Sequence, residues 1–317
     1  MKPSESRKRY NLNQCALYCC RSKSKLFKLL GTNAREIRDL TKNMNEQYSI
    51  FDLEKKGGGT RTVHGPSPLL KRIQKTLYKY LRKVERPSWL ISGELGKSVI
   101  DNVRPHQFAG DMIKLDISGF FDNCKREPVF QFFHTILRQP GDVASICTEL
   151  CMLNGAIVQG SPTSMVIAFY ANRKMLEELQ QLASDFGLVF TVYVDDIAFS
   201  CAASFNEDAL LSRACQIVRA YGFRVKTKKV REYPLEKPKL LTGIVISKKN
   251  TLSVPNRVRR TILDSMTSYR KMDDSNEKEK LRQSMLGMIA SAQQIEPGIF
   301  NSIRGQLLSD RRKQLVS

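Results

Sequence analysis

Apolar positions recur at helical spacing early in the chain, at Leu26, Leu29, Leu30, Ile37 and Leu40, with Gly31 as a break. Residues 1–50 therefore read as a basic, patchily helical start. From 49 to 63 the pattern switches to alternation. Ile50-Phe51-Asp52-Leu53 and Thr60-Arg61-Thr62-Val63 flank Lys55-Lys56-Gly57-Gly58-Gly59, which predicts a hairpin with a flexible turn. Pro66 and Pro68 end it. A basic amphipathic helix over 69–84 follows, with Leu70, Ile73, Leu77 and Leu81 on one face. Residues 111–118 make a short alternating strand carrying Asp116. Residues 126–153 read as two helices parted by Gln139-Pro140-Gly141, and 162–186 as one long helix closed by Gly187. Residues 188–200 are apolar and β-branched on both sides of an acidic pair. A helix over 210–220 and strands over 223–230 and 239–247 come next. Beyond Pro255 no convincing strand remains, and three helices are expected. The pattern predicts an α+β body to about residue 250 and a helical lobe after it.

Composition adds a partner class. The 317 residues are 41% hydrophobic and 26% charged, an ordinary globular balance. Lys and Arg total 52 against 31 Asp and Glu, a net charge of +21, which favours a partner rich in phosphates over a small acidic substrate. Charge alone does not separate an enzyme from a basic binding protein. Eight cysteines without a C-x-x-C pair, and three scattered histidines, read as reduced, buried thiols and not as a zinc site. No apolar stretch follows Arg7-Lys8-Arg9, and the longest apolar runs are too short to span a bilayer. A soluble, cytoplasmic protein without a membrane partner is expected.

The informative feature is Tyr193-Val194-Asp195-Asp196, set between Val189-Phe190-Thr191-Val192 and Ile197-Ala198-Phe199. Two strand-like runs joined by two acids predict a hairpin with both carboxylates at its tip. Adjacent anions at an apolar turn repel, and Asn-Gly or Asp-Gly would turn better. Such a breach of a local rule is expected at functional sites. A hard divalent cation such as magnesium would relieve it. Asp273-Asp274, another acidic pair, lies in a polar linker and needs only solvent. Asp116 ends the apolar run Ile113-Lys114-Leu115; alone it reads as a strand-end acid. Three carboxylates at the ends of neighbouring strands would hold two cations, one activating an attacking 3′-hydroxyl and one holding a triphosphate. With the net charge, this fits nucleotide polymerisation.

In order along the chain, these residues resemble the reverse transcriptases, and more closely the bacterial retron type. Thr60-Arg61-Thr62-Val63 with Gly65-Pro66-Ser67-Pro68 is similar to the first fingers motif, and Ser92 to Ser98 resembles the second. Lys114 to Phe121 resembles the first catalytic motif, Gln159-Gly160-Ser161-Pro162 the nucleotide-pocket motif, and Tyr193 to Asp196 the catalytic signature. Phe223 to Lys229 resembles the motif after it. Asn102-Val103-Arg104-Pro105-His106 and Leu241-Thr242-Gly243 are similar to two retron elements. The resemblance implies a right-hand polymerase architecture: an N-terminal helical extension and fingers over 1–105, an antiparallel-sheet palm over 106–250 with fingers helices at about 126–155, and a helical thumb over 251–317.

The resemblance also assigns roles. Asp116, Asp195 and Asp196 are catalytic and, with the Ile117 carbonyl, would hold two Mg2+ ions. Arg61 grips triphosphate, with Lys55 or Lys56 as helpers. Phe121 crowds a ribose 2′-hydroxyl, while Phe120 is core because strand neighbours face opposite ways. Gln159 and Gly160 meet the incoming nucleotide; a plain helix-start turn is compatible with that. Lys229 resembles a general acid toward pyrophosphate, and a phosphate-binding or solvated role stays open. Asn102 and His106 belong to RNA recognition or to local packing. The implied activity is an RNA-directed DNA polymerase, a nucleotidyltransferase that copies a cognate noncoding RNA into branched single-stranded DNA (msDNA) in antiphage defence. Its partners would be that RNA, the RNA–DNA hybrid, deoxynucleoside triphosphates and a separate effector protein. The alternatives are another bacterial reverse transcriptase, of group II intron, diversity-generating or untemplated type, or an RNA-binding scaffold restraining an effector.

Overall fold

The structure is a computed structural model that describes residues 9–54, 59–273 and 275–314. Lys55, Lys56 and Asp274 lie outside the described residues. Helices mix with antiparallel sheets, the α+β class expected. Strands β1 (Tyr48–Glu54) and β2 (Thr60–Pro66) form an antiparallel hairpin, in register from Tyr48 opposite Pro66 to Glu54 opposite Thr60. A four-stranded sheet has the order β4-β5-β3-β6, built from β3 (Asp111–Asp116), β4 (Val189–Tyr193), β5 (Asp196–Cys201) and β6 (Arg231–Tyr233). A third sheet joins β7 (Lys239–Leu241), β8 (Ile244–Ile246) and β9 (Leu252–Ser253).

The chain divides into two compact units. One holds the residues up to Lys97, Leu115–Ile197 and Asn206–Val230; the other holds Ser98–Lys114, Ala198–Phe205 and the chain from Arg231 onward. In the first unit the helix Pro68–Leu81 starts on Pro68, where a missing N–H is harmless, and fully buries Leu70, Ile73, Leu77 and Leu81. The early residues are integral to this unit. Tyr10 pairs with Val84 in a parallel bridge, and the Gln139 amide donates to the Leu17 carbonyl at 2.9 Å. Gly31, at φ 64°, ends the helix Lys23–Leu30 in the left-handed conformation that glycine adopts freely.

In the second unit the helices Asn256–Lys271, Asn276–Ile295 and Asn301–Gln314 share a core of Ile262, Met266, Tyr269, Met285, Ile289 and Leu307. The Thr242-Gly243 turn between β7 and β8 has positive φ at both residues, 44° and 81°, as a two-residue hairpin needs. Among the described residues no helix is long and apolar enough to cross a membrane. All eight cysteines are free thiols.

Three expectations are corrected. The strand over 239–247 is the antiparallel hairpin β7–β8, because Thr242 and Gly243 both take positive φ and turn the chain back. The long helix over 162–186 is two helices, Ser164–Ala171 and Arg173–Asp185. Asn172 parts them, because its amide donates to the Ala168 carbonyl at 2.9 Å and to Cys124 Sγ at 3.1 Å. The strand over 223–230 is instead one bridge, Ile117 to Val225, followed by a 3-10 turn at Thr227–Lys229, and the paired strand starts at Arg231.

Candidate active site

Backbone hydrogen bonds bring the acids to one corner of the first unit. β3 ends on Asp116, and Val194-Asp195 forms the turn between β4 and β5, which opens on Asp196. The Ile117 N–H donates to the Asp195 carbonyl at 2.9 Å, tying the end of β3 to the hairpin tip. On its other side β3 meets residues 224–226: Lys226 N–H donates to Asp116 O and Ser118 N–H to Arg224 O, both at 2.8 Å. In this alternating ladder Ile117 directs its own N–H and carbonyl away from Val225. Its carbonyl thus lies on the Asp195 side, where a ligand was expected.

The tip is strained. Val194 has φ 63°, at the turn position that a type II′ hairpin reserves for glycine. A β-branched residue there costs roughly 1–2 kcal/mol. Its N–H is satisfied by Ser92 Oγ at 2.8 Å.

The electrostatics are uneven. Asp116 is 5% exposed, with Lys226 Nζ 2.6 Å from Oδ1 and Lys229 Nζ 2.8 Å from Oδ2. Burial alone would raise its pKa, but the hydrogen bonds and charges of the two lysines outweigh burial and hold the carboxyl below its ordinary value. Asp195 shifts the other way, raised by burial and then by the negative charges of Asp116 and Asp196. Lys229 is raised, first by its hydrogen bond to Asp116. Lys226 escaped the sequence reading as a separate partner. Its signal was the spacing to Lys229, since residues three apart eclipse on a 3-10 turn.

The donor set fits a hard cation. All side-chain donors are carboxylate oxygens. Asp116 Oδ1 is buried and faces Lys226 Nζ at 2.6 Å, a carboxylate oxygen already turned toward positive charge. Burial and neighbouring anions leave Asp195 short of positive charge. The carboxylates do not form a closed cage: among the described residues no three His, Cys, Asp or Glu side chains are grouped to hold an ion as they stand.

The Gln159-Gly160 loop meets β2. His64 N–H donates to the Gln159 carbonyl at 2.8 Å. Gly160, at φ 113°, leaves no room for a side chain: a Cβ would lie 2.5 Å from His64 O and 2.9 Å from Val63 Cγ1. The glycine is therefore required by the β2 backbone, a reason the sequence did not reveal. Arg61 sits in the same strand opposite Leu53, and its side chain lies outside the described residues. Phe121 lines a narrow cleft with Phe120, Ser92, Met165, Val192 and Val194. Phe120 is buried, as expected of a core residue, but for another reason: both rings lie on the helical turn Phe120–Asn123 and not on a strand.

The burial of Asn102 and His106 favours local packing, one of the two roles the sequence left open for them. In the second unit they are 1% and 0% exposed. The Asn102 amide donates to Thr242 Oγ1 at 3.4 Å, and His106 Nδ1 lies 2.6 Å from Ser200 Oγ. Buried side chains with internal partners serve packing. The two elements singled out in the sequence, around Asn102 and Thr242, thus touch each other.

Comparison with known proteins supplies a family. Residues 53–245 match the family described as Reverse transcriptase (RNA-dependent DNA polymerase). Among relatives, the retron Ec86 reverse transcriptase of Escherichia coli is 26% identical over 250 residues, covering 78% of this chain and 78% of that protein. The retron Ec83 reverse transcriptase of Escherichia coli is 24% identical over 277 residues, covering 81% and 85%. The retron Mx162 reverse transcriptase of Myxococcus xanthus is 26% identical over 296 residues, covering 82% and 60%. A foamy viral protease-reverse transcriptase in complex with double-stranded DNA aligns at a TM-score of 0.46 and 16% identity, over 87% of this chain and 43% of that one. With a match over residues 53–245, the chain belongs to the reverse transcriptase family: it is an RNA-directed DNA polymerase using an RNA template and deoxynucleoside triphosphates, in a family that works with divalent metal ions.

Proposed function

We propose that this reverse transcriptase is of the retron kind, copying a cognate noncoding RNA into branched msDNA in antiphage defence beside a separate effector protein. The reading is supported by relatives that are themselves retron reverse transcriptases and by the presence of both retron-like elements, at Asn102 and Thr242. Asp116, Asp195 and Asp196, with the Ile117 carbonyl, are the residues that would hold two Mg2+ ions. Bound there, the ions supply activation of the primer hydroxyl and charge neutralisation on the triphosphate. The observation that carries the assignment is the Ile117-to-Asp195 hydrogen bond, which sets the end of β3 against the acidic tip.

The remaining roles belong to the chain itself. Lys229 is poised near Asp116 to meet phosphate oxygens or to give a proton to departing pyrophosphate. Phe121 restricts the space beside the ribose, and Gln159 orients the nucleotide. Arg61 grips triphosphate. The division of labour is fingers with the N-terminal extension over 1–105, palm over 106–250 and thumb over 251–317. Primer extension on a generic RNA template tests the site: Asp195→Asn abolishes incorporation, and equal extension by both proteins refutes it. Expression with the flanking genomic DNA tests the retron reading. RNA-linked single-stranded DNA that gel analysis resolves after debranching is expected, and its absence from an active enzyme counts against it.

A further inference from the structure

The catalytic hairpin has a support that neither the acids nor the family match accounts for. The segment 89–92 runs parallel to β4, with Leu90 bridged to Val192. Val192 N–H donates to Trp89 O at 2.9 Å, and Ile91 N–H donates to Val192 O at 3.0 Å. Where the segment reaches the tip, Ser92 Oγ accepts the Val194 N–H at 2.8 Å, and the serine is 8% exposed. On the other flank the Asp195 carbonyl accepts from Ile117. The strained turn is thus gripped on both sides.

The serine stands on a braced loop. Arg86 Nε lies 2.5 Å from Glu94 Oε1, with both side chains 1% exposed. Arg9 Nη1 reaches Glu94 Oε2 at 2.9 Å. Lys97 Nζ donates to Ser88 O at 2.6 Å and Leu90 O at 2.8 Å. Ionic contacts of this kind fix a loop that has little regular structure of its own. Ser92 needs such fixing, because a hydroxyl on a loose loop could not hold a valine in the left-handed region.

We propose that Ser92 is a positioning residue for catalysis, holding the Val194 amide so that Asp195 and Asp196 face the end of β3. The proposal rests on the active-site reading above. Ser92→Ala leaves the Val194 N–H without its acceptor and lets the turn relax. Ser92→Thr keeps the oxygen.

Both variants are compared with the wild-type full chain in three measurements: Mn2+ affinity by calorimetry without substrate, kcat and nucleotide KM in single-nucleotide extension, and primer–template affinity. Ser92→Ala is expected to weaken Mn2+ binding and lower kcat by about 10–100-fold, the usual effect of losing a group that orients a ligand. Primer–template affinity stays unchanged, and Ser92→Thr restores most of both losses. Wild-type Mn2+ affinity and kcat in Ser92→Ala overturn the proposal. So does a loss that Ser92→Thr shares in full while both variants remain folded. Asp195→Asn separates the two levels: if it still binds Mn2+ and extends primers, the site reading itself has failed. If it is inactive while Ser92→Ala is normal, only the positioning role has failed.

Discussion

Gly160→Ala tests how tightly the Gln159-Gly160 loop is fitted to β2. The added Cβ would lie 2.5 Å from the His64 carbonyl oxygen, 3.2 Å from its carbon and 2.9 Å from Val63 Cγ1. Ordinary packing keeps such atoms about 3.5 Å apart, so strand or loop must retreat by about 1 Å. The His64 N–H bond to Gln159 O, now 2.8 Å, then stretches beyond hydrogen-bonding range. Losing that bond costs about 0.5–1.5 kcal/mol. Holding alanine at the φ of 113° seen here adds about 1–3 kcal/mol. The expected destabilisation is therefore about 1.5–4.5 kcal/mol, read from urea unfolding.

The same displacement moves the strand that carries Arg61. A 1 Å misplacement can cost about 100-fold in rate. The expected signature is kcat/KM for deoxynucleotides lowered by about that factor, with primer–template affinity unchanged. A Val63→Ala change on top should not rescue it, since the closest clash is with backbone. Gly160→Ala with normal stability and a normal nucleotide KM would refute the reasoning. Full rescue by Val63→Ala would place the constraint in the side chain instead.

Other expectations follow from single contacts. Phe121→Ala opens the cleft beside the active corner, and ribonucleotide incorporation relative to deoxynucleotide should rise by about 10-fold or more in kcat/KM ratios. Burial lowers the His106 pKa from 6.5 to about 4, so the folded chain refuses a proton that the unfolded chain accepts. The stability His106 contributes is complete above about pH 6.5 and is lost as pH falls toward about 4, by up to about 3 kcal/mol; the difference curve against His106→Gln should show that slope and no other. Arg86→Met leaves the buried Glu94 with Arg9 alone, and chemical denaturation should show a loss of about 3–5 kcal/mol, nearer the lower figure because Arg9 remains.

The sequence was legible where one local signal decided the outcome. Leu70, Ile73, Leu77 and Leu81 announced a helix because a four-residue apolar repeat has few other uses. The hairpin was legible because β-branched runs flank the acids, but its turn falls one residue earlier than expected, on Val194-Asp195, so that Asp196 opens β5 instead of sharing the tip. Where a distant partner decided, the reading failed. The helix break at Asn172 depends partly on Cys124, 48 residues away, and a mid-helix asparagine is otherwise unremarkable. Residues 223–230 have strand-like composition, yet only Val225 finds a bridge before the lysines turn toward Asp116. The burial of Asn102 and His106 is likewise a tertiary fact, as is the use of Ser92 by a valine 102 residues later.

The strain and the charge at the active corner belong to one arrangement. Glycine in place of Val194 would relieve the strain and keep the N–H that Ser92 accepts, but it would leave the turn with more conformational freedom. Val194 costs the fold something, and it is tolerated because Ser92 and Ile117 overdetermine the turn from opposite sides. The two lysines do not remove the reason for that rigidity. Both sit on Asp116, while Asp195 stays raised by burial and by its acidic neighbours. Neutralising one acid of three leaves the demand for positive charge on the hairpin side of the corner. A cation serving that side would have to be met by carboxylates already held in place, since flexible ones would lose to water the attraction that the fold has concentrated.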